Sequence, residues 1–274
     1  MATANSRNEP AAATSGRRAL NRWIGWMATA AGLLTAGFTS PAPVAEPAPA
    51  PSAANYAARA RQTFAAAKRR YEASAEPQAA WEFGRACFDW AEYATNEAQR
   101  AAIAQAGIAA CRPLVQREPT LAAAPYYLAM NLGQLARTKT LGALKLVDEM
   151  ERLFKTAHDL DPRFDHAGPD RNLGLLYRDA PGWPASIGSR RKARLHLQRA
   201  VQLAGDFPEN RLTLLESYVL WGDRDGAASE RRATARLFPL ARTNLTGLAW
   251  APSWEDWEKR WRLLGGQPGA AQAP

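Results

Sequence analysis

Asn131-Leu132-Gly133-Gln134-Leu135-Ala136-Arg137 returns 41 positions later as Asn172-Leu173-Gly174-Leu175-Leu176-Tyr177-Arg178, with Asn-Leu-Gly, the second Leu and the Arg shared by the two copies. A recurrence at this distance is the mark of a chain built from stacked two-helix units, each burying its apolar face against the next. The composition agrees. Ala, Leu, Arg, Gln and Glu dominate, β-branched residues are scarce, and no window after residue 55 alternates as a strand would. The expected fold is all-α, a helical-hairpin solenoid.

Working outward from the two Leu-Gly pairs, the spacing follows the tetratricopeptide pattern: Leu-Gly and an aromatic on the first helix, then small-aromatic-small and a proline on the second. In the pair containing Gly133 the first helix runs from about Leu121 to Arg137, and the second closes with Phe154, Ala157 and Pro162. The pair containing Gly174 continues with Tyr177, Ala193, Leu197 and Ala200, with an insertion around Ala180-Pro181-Gly182-Trp183-Pro184. A later pair carries Leu214, Tyr218 and Ala227, with Gly222 to Gly226 as its turn, and an earlier, more divergent one carries Trp81, Gly84, Cys87, Gly107, Cys111 and Pro119. About four helix pairs result. Tyr56 to Ala73 has the period of an N-terminal capping helix, and Trp254, Trp257, Trp261 and Leu264, preceded by Ser253 as N-cap, line one face of a C-terminal helix that seals the array.

The remaining segments set the domain plan. Residues 1–39 place Arg17, Arg18 and Arg22 before an uncharged run from Trp23 to Thr39, which reads as an export signal or an N-terminal membrane anchor. Residues 40–54 are a Pro/Ala-rich linker, 55–264 the helical-repeat domain, and 265–274 a tail expected to be unordered. Three of the nine net positive charges sit in the first 45 residues and the rest are interleaved with acids, so no nucleic-acid partner is expected. No nucleophile with an adjacent base, phosphate-binding glycine loop or paired-cysteine motif appears, and a non-catalytic protein without cofactor is expected. Cys87 and Cys111 read as two buried thiols. The run Asp161, Asp165, His166, Asp170 lacks the order of a calcium loop and reads as an inter-repeat turn with Asp170 capping the next helix, while His158 and His196 stand alone.

Helix positions not used in packing between pairs line the concave face. They are Tyr127, Met130, Gln134 and Arg137 in one pair, Gly168, Arg171, Leu175 and Arg178 in the next, and Glu209, Leu212, Glu216 and Val219 in the last. Arg137, Arg171 and Arg178 are therefore candidate contacts for a carboxylate ligand, a small organic anion or an acidic peptide terminus. Pairing of each with an acid on a neighbouring helix is the equally weighted alternative. Asn131 and Asn172 offer amide hydrogen bonds either to a ligand or to adjacent backbone, and Tyr127 and Gln134 complete the candidate ligand-binding set.

The stretch from Pro125 to Asn210 resembles the T-component family of TRAP transporters. The resemblance is carried by Tyr126-Tyr127-Leu128-Ala129-Met130-Asn131-Leu132-Gly133, Ala157-His158-Asp159-Leu160-Asp161-Pro162, Gly168-Pro169-Asp170-Arg171-Asn172-Leu173-Gly174-Leu175-Leu176-Tyr177, and the Pro181 to Gly188 insertion. It implies an exported, periplasmic helical array that works with a solute-binding protein and homo-oligomerises, with an internal channel for a small organic ligand. The chain lacks the lipid-acceptor Cys of many such proteins. A membrane-tethered protein-protein interaction scaffold is the alternative that the sequence leaves open.

Overall fold

The computed structural model describes residues 53–139 and 142–266; the segment read as an export signal or anchor, nearly all of the stretch read as a linker and most of the expected tail lie outside them. Among the described residues there are ten helices: α1 (Ala53–Ala73), α2 (Pro77–Ala91), α3 (Glu97–Arg117), α4 (Ala123–Ala136), α5 (Ala143–Leu160), α6 (Phe164–Asp179), α7 (Arg190–Leu203), α8 (Pro208–Leu220), α9 (Arg224–Asn244) and α10 (Ala251–Leu263). No strand occurs among them. The solenoid of four pairs (α2/α3, α4/α5, α6/α7, α8/α9) with a capping helix at each end is the architecture that the repeat spacing predicts.

Local chemistry fixes the helix starts. Asn96 accepts a hydrogen bond from the Gln99 amide at 2.8 Å while Gln99 Oε1 accepts one from the Thr95 amide at 2.8 Å, reciprocal capping that satisfies two otherwise orphaned donors. Ser189 caps α7 and Asp223 caps α9, through the Lys192 and Gly226 amides. Helix α9 consequently starts inside the stretch expected to be all turn. Proline opens α2 and α8, where its missing N–H costs nothing. One expected cap is corrected at the far end of the array. Trp250, not Ser253, precedes α10, and Ser253 lies within its first turn.

Packing between pairs depends on small residues. A Cβ on Gly174 would lie 2.5 Å from the Leu197 side chain, so α7 can rest on α6 only because that position is glycine. Gly107 likewise gives its space to the Asn131 side chain. Tyr126, Tyr127, Phe154, Leu173 and Tyr177 fill the central core, with Tyr126 edge-on to Phe154 at 5.9 Å. Cys87 and Cys111 are buried free thiols, Cys111 in this core and Cys87 in a separate cluster with Phe83 and Ile103. A second core joins Leu197, Phe207, Leu212 and Leu215 to Trp254, Trp257 and Trp261, so the tryptophan stripe is the seal of the array.

The array curls far enough to meet itself. The Tyr56 hydroxyl on α1 lies close enough to Glu255 on α10 that burial and that carboxylate together raise its pKa.

Candidate functional site

The inner face is built from one line of side chains per pair. On α2 the line is Trp81, Arg85 and Asp89, spaced four apart on one side of the helix, followed by Glu92. On α4 it is Tyr127, Met130 and Gln134, ending at Arg137; on α6 it holds Arg171 and Arg178; on α8 it holds Glu209 and Glu216. Of the positions assigned to this face from sequence, Val219 is half exposed, while Tyr127, Met130, Gln134, Arg171, Leu175, Glu209, Leu212 and Glu216 are buried.

All three candidate guanidinium groups turn inward, and all three meet acids. Arg137 Nη1 donates to both oxygens of Glu92 at 3.0 Å, and the Gln134 amide donates to the same carboxylate. Arg100 closes this group through Gln134 Oε1 at 2.8 Å. Arg178 binds Asp179 through Nε at 2.9 Å and Nη2 at 2.8 Å, and reaches Ser217 on α8 at 3.1 Å. Arg171 is the most buried, with 2% exposure.

Arg171 holds a strained turn in place. Asp165, His166 and Ala167 have φ of 49°, 54° and 60°, three successive non-glycine residues in the left-handed region at the start of α6. Each such residue costs about 1–2 kcal/mol, so the surroundings must over-determine it. Arg171 donates to the Asp165 carboxylate at 3.1 Å and to the His166 carbonyl at 3.2 Å; Asn210 donates to that same carbonyl at 2.8 Å; Tyr126 donates its hydroxyl to Asp165 at 2.5 Å. The His166 ring stacks on Phe207 at 4.1 Å. The inter-repeat turn falls where the sequence placed it, but its purpose is to hold Asp165 against Arg171 and His166 against the C-terminal aromatics.

The amide N–H groups of both asparagines bond within the array, while Asn131 Oδ1 is buried with no hydrogen-bond partner among the described residues. Asn131 Nδ2 donates to the Gly84 and Tyr127 carbonyls at 2.8 Å, and Asn172 Nδ2 donates to the Tyr126 hydroxyl at 3.1 Å. Tyr127 stacks on Trp81 at 5.8 Å with an interplanar angle of 7°.

Three groups escaped the sequence reading. Asp170 does not cap a helix. It is fully buried: His196 Nδ1 hydrogen-bonds one of its oxygens at 2.8 Å, and His158 Nδ1 stands 2.9 Å from the other without forming a hydrogen bond, so the two histidines read as solitary converge on one carboxylate between α5, α6 and α7. Arg260 on α10 reaches across to α8, binding Glu209 at 2.8 Å and Glu216 at 2.8 and 3.0 Å, with Asp256 at 3.2 Å. Burial alone would raise Glu209, but Arg260, Arg171 and the Trp257 indole hydrogen bond override it and pull its pKa down to about 2. Glu216 moves the other way because burial, with repulsion from Glu209, outweighs Arg260. A distant helix supplying the counter-ion leaves no local sequence signal.

Asp89 is the third. Burial, together with the charges of Asp165 and Glu92, pushes its carboxyl up to about 7 despite Arg85. Arg85 Nε is 3.9 Å away, an ion pair too long to be a hydrogen bond. Asp89 nevertheless keeps a quarter of its side-chain surface accessible.

No family model matches this sequence, and no curated protein matches it. Among solved structures the chain is similar to a thermophilic TPR protein of Thermus thermophilus, with 20% identity over 76% of this chain and 91% of that one and a TM-score of 0.55. That likeness is one of fold. The tetratricopeptide-like helical array expected from the spacing is therefore what the chain forms.

Proposed function

We propose that this chain is a non-catalytic, exported helical-repeat subunit of TRAP-type solute uptake that assembles with a solute-binding protein and holds a small organic ligand on its inner face. The observation that carries the reading is closure. Helix α10 covers the inner face of α8 through Arg260 and Trp257, and its Glu255 lies near the Tyr56 hydroxyl of α1. An extended peptide needs an open groove, whereas a partly enclosed interior with polar groups converging on it suits a small molecule. The Pro125 to Asn210 resemblance and the basic-then-apolar N-terminal segment support the transport context. The anion inferred from Arg137, Arg171 and Arg178 finds each of them already paired with a carboxylate.

The test is co-purification. The tagged full-length chain, extracted from envelopes of its native host, is expected to bring down an extracytoplasmic solute receptor at near-equal stoichiometry. Recovery of cytoplasmic proteins alone would overturn the assignment. One observation favours the tethered scaffold instead. Trp183, in the insertion between α6 and α7, is 90% exposed, and an exposed tryptophan is the kind of residue that anchors a protein interface. If Trp183→Ala abolishes co-purification of a partner while solute uptake is unchanged, the scaffold reading replaces the transport one.

A further inference from the structure

We propose that the stretch of inner face from Trp81 to Asp89 binds a small organic ammonium ion carried on a ring-sized apolar body. The inference rests on the inner face being a ligand chamber but not on the transport assignment. Trp81, Arg85 and Asp89 occupy successive turns of one side of α2. Trp81 lies nearly parallel to Tyr127, which Tyr126 and Phe164 meet edge-on at 5.1 and 6.0 Å, so the first turn presents an aromatic wall. Trp81 itself is only partly buried, leaving part of that wall to be covered.

Two turns further on, Asp89 supplies the recognition group. Asp165, whose charge it feels, already accepts from Tyr126 and Arg171, and Glu92 already accepts from Arg137 and Gln134. Asp89 has the distant Arg85, which also feels the charge of Asp165. A carboxylate in an enclosed place with no close donor gains most from a cation that brings N–H groups within hydrogen-bond reach. The accessible part of the Trp81 ring carries negative electrostatic potential on its face and favours a cation, whereas an anion would be repelled both by it and by Asp89. A neutral alcohol would satisfy one lone pair but none of the charge. The pKa of about 7 for empty Asp89 adds a signature: ammonium binding should strengthen as the carboxyl ionises. The other titratable groups facing this place are Arg85, Asp165, Glu92 and the Tyr126, Tyr127 and Tyr93 hydroxyls. Neither the tyrosines, whose pKa values are raised, nor Arg85 titrates between pH 6 and 8.

The experiment is calorimetry on the full chain with three isosteric probes: phenethylamine, 2-phenylethanol and phenylacetate. Phenethylamine is expected to bind at least tenfold more tightly than the other two at pH 8, and to weaken about tenfold at pH 6. Asp89→Asn should abolish the preference for the amine, and Trp81→Ala should weaken all binding. Circular dichroism of each variant checks the fold, and the wild-type pH dependence stands even if a variant fails to fold. Equal affinity for amine and alcohol, tighter binding of phenylacetate, no binding of any probe, or an unchanged Asp89→Asn variant would each overturn the proposal. Amine binding without a co-purifying receptor would instead leave the site standing and remove the transport assignment.

Discussion

The two ends of the inner face are made of the same materials and are finished differently. At the C-terminal end Arg260 spans Glu209 and Glu216 with hydrogen bonds of 2.8 to 3.0 Å, Trp257 adds its indole N–H, and every one of these groups is buried. At the N-terminal end Arg85 and Asp89 face each other at 3.9 Å with part of their surface open. One is a lock and the other a vacancy in the hydrogen-bond network. A charged pair on a concave face is thus no sign of a binding site by itself. What separates the two is whether the carboxylate's lone pairs are already spent.

The most severe break in that contrast should come from the lock. Arg260→Ala would strand Glu209 and Glu216 in the interior, and removing one partner of a buried pair costs about 3–5 kcal/mol. Urea denaturation at pH 7 should show that loss, and a loss below about 1 kcal/mol would mean that α10 does not hold the end closed. The low pKa of Glu209 adds a pH signature. Its folded value lies below its ordinary 4.5, so its contribution is complete above pH 4.5 and is lost as the pH falls toward about 2. Next in size comes Arg171→Ala. It releases the left-handed turn at Asp165 to Ala167 and leaves Asp165 with Tyr126 alone, for an expected cost of about 2–3 kcal/mol. Hydrogen exchange should localise the loosening to the start of α6.

The vacancy predicts the opposite sign. Asp89 has a folded pKa of about 7 against an ordinary 3.8, so the folded state holds its proton more tightly and stability falls as the pH rises from about 4 to 7. Asp89→Asn removes that slope and should stabilise the protein by on the order of 1–2 kcal/mol at pH 8, after allowing for solvent at the open side. Parallel denaturation curves for wild type and variant at pH 4, 6 and 8 measure it, with the difference confined to the higher values. A residue that lowers stability where it stands is one whose retention calls for a functional reason. If Asp89→Asn is destabilising at pH 8, Asp89 has structural donors and the contrast between the two ends collapses.

The fold was legible because its determinants are local and periodic. Leu-Gly pairs, the Ala-Ala spacing of the second helices and the tryptophan stripe each state a contact that one helix makes with its neighbour. The inner-face register follows from the same periodicity, which is why Arg137, Arg171 and Arg178 could be picked out together. Their partners could not, because Glu92 lies 45 positions from Arg137 and Arg260 lies 51 from Glu209, and nothing in a repeat pattern says which inner charges meet. Asp170 was misplaced by a local rule. An acid after a proline looks like a cap until the two histidines on flanking helices are seen to converge on it. Asp89 carried no signal at all, since its importance lies in close donors that it lacks.

Between lock and vacancy stands Arg137, and it gives the smallest effect and the finest gauge. Its side chain is about one-fifth exposed (21%), and Glu92, at 12%, keeps the Gln134 amide if the guanidinium is lost. Arg100 already hydrogen-bonds Gln134 and stands close enough to take up part of the charge. Arg137→Ala should therefore cost only about 0.5–1 kcal/mol, as a solvent-screened pair does. Combining it with Glu92→Gln in a double-mutant cycle isolates the pair itself, and the coupling should fall in the same range and shrink at high salt. A coupling above about 3 kcal/mol would place Arg137 with Arg260 among the buried locks. The gradient of compensation along the inner face would then be a single step at α2, with Asp89 the point at which the interior yields to a ligand.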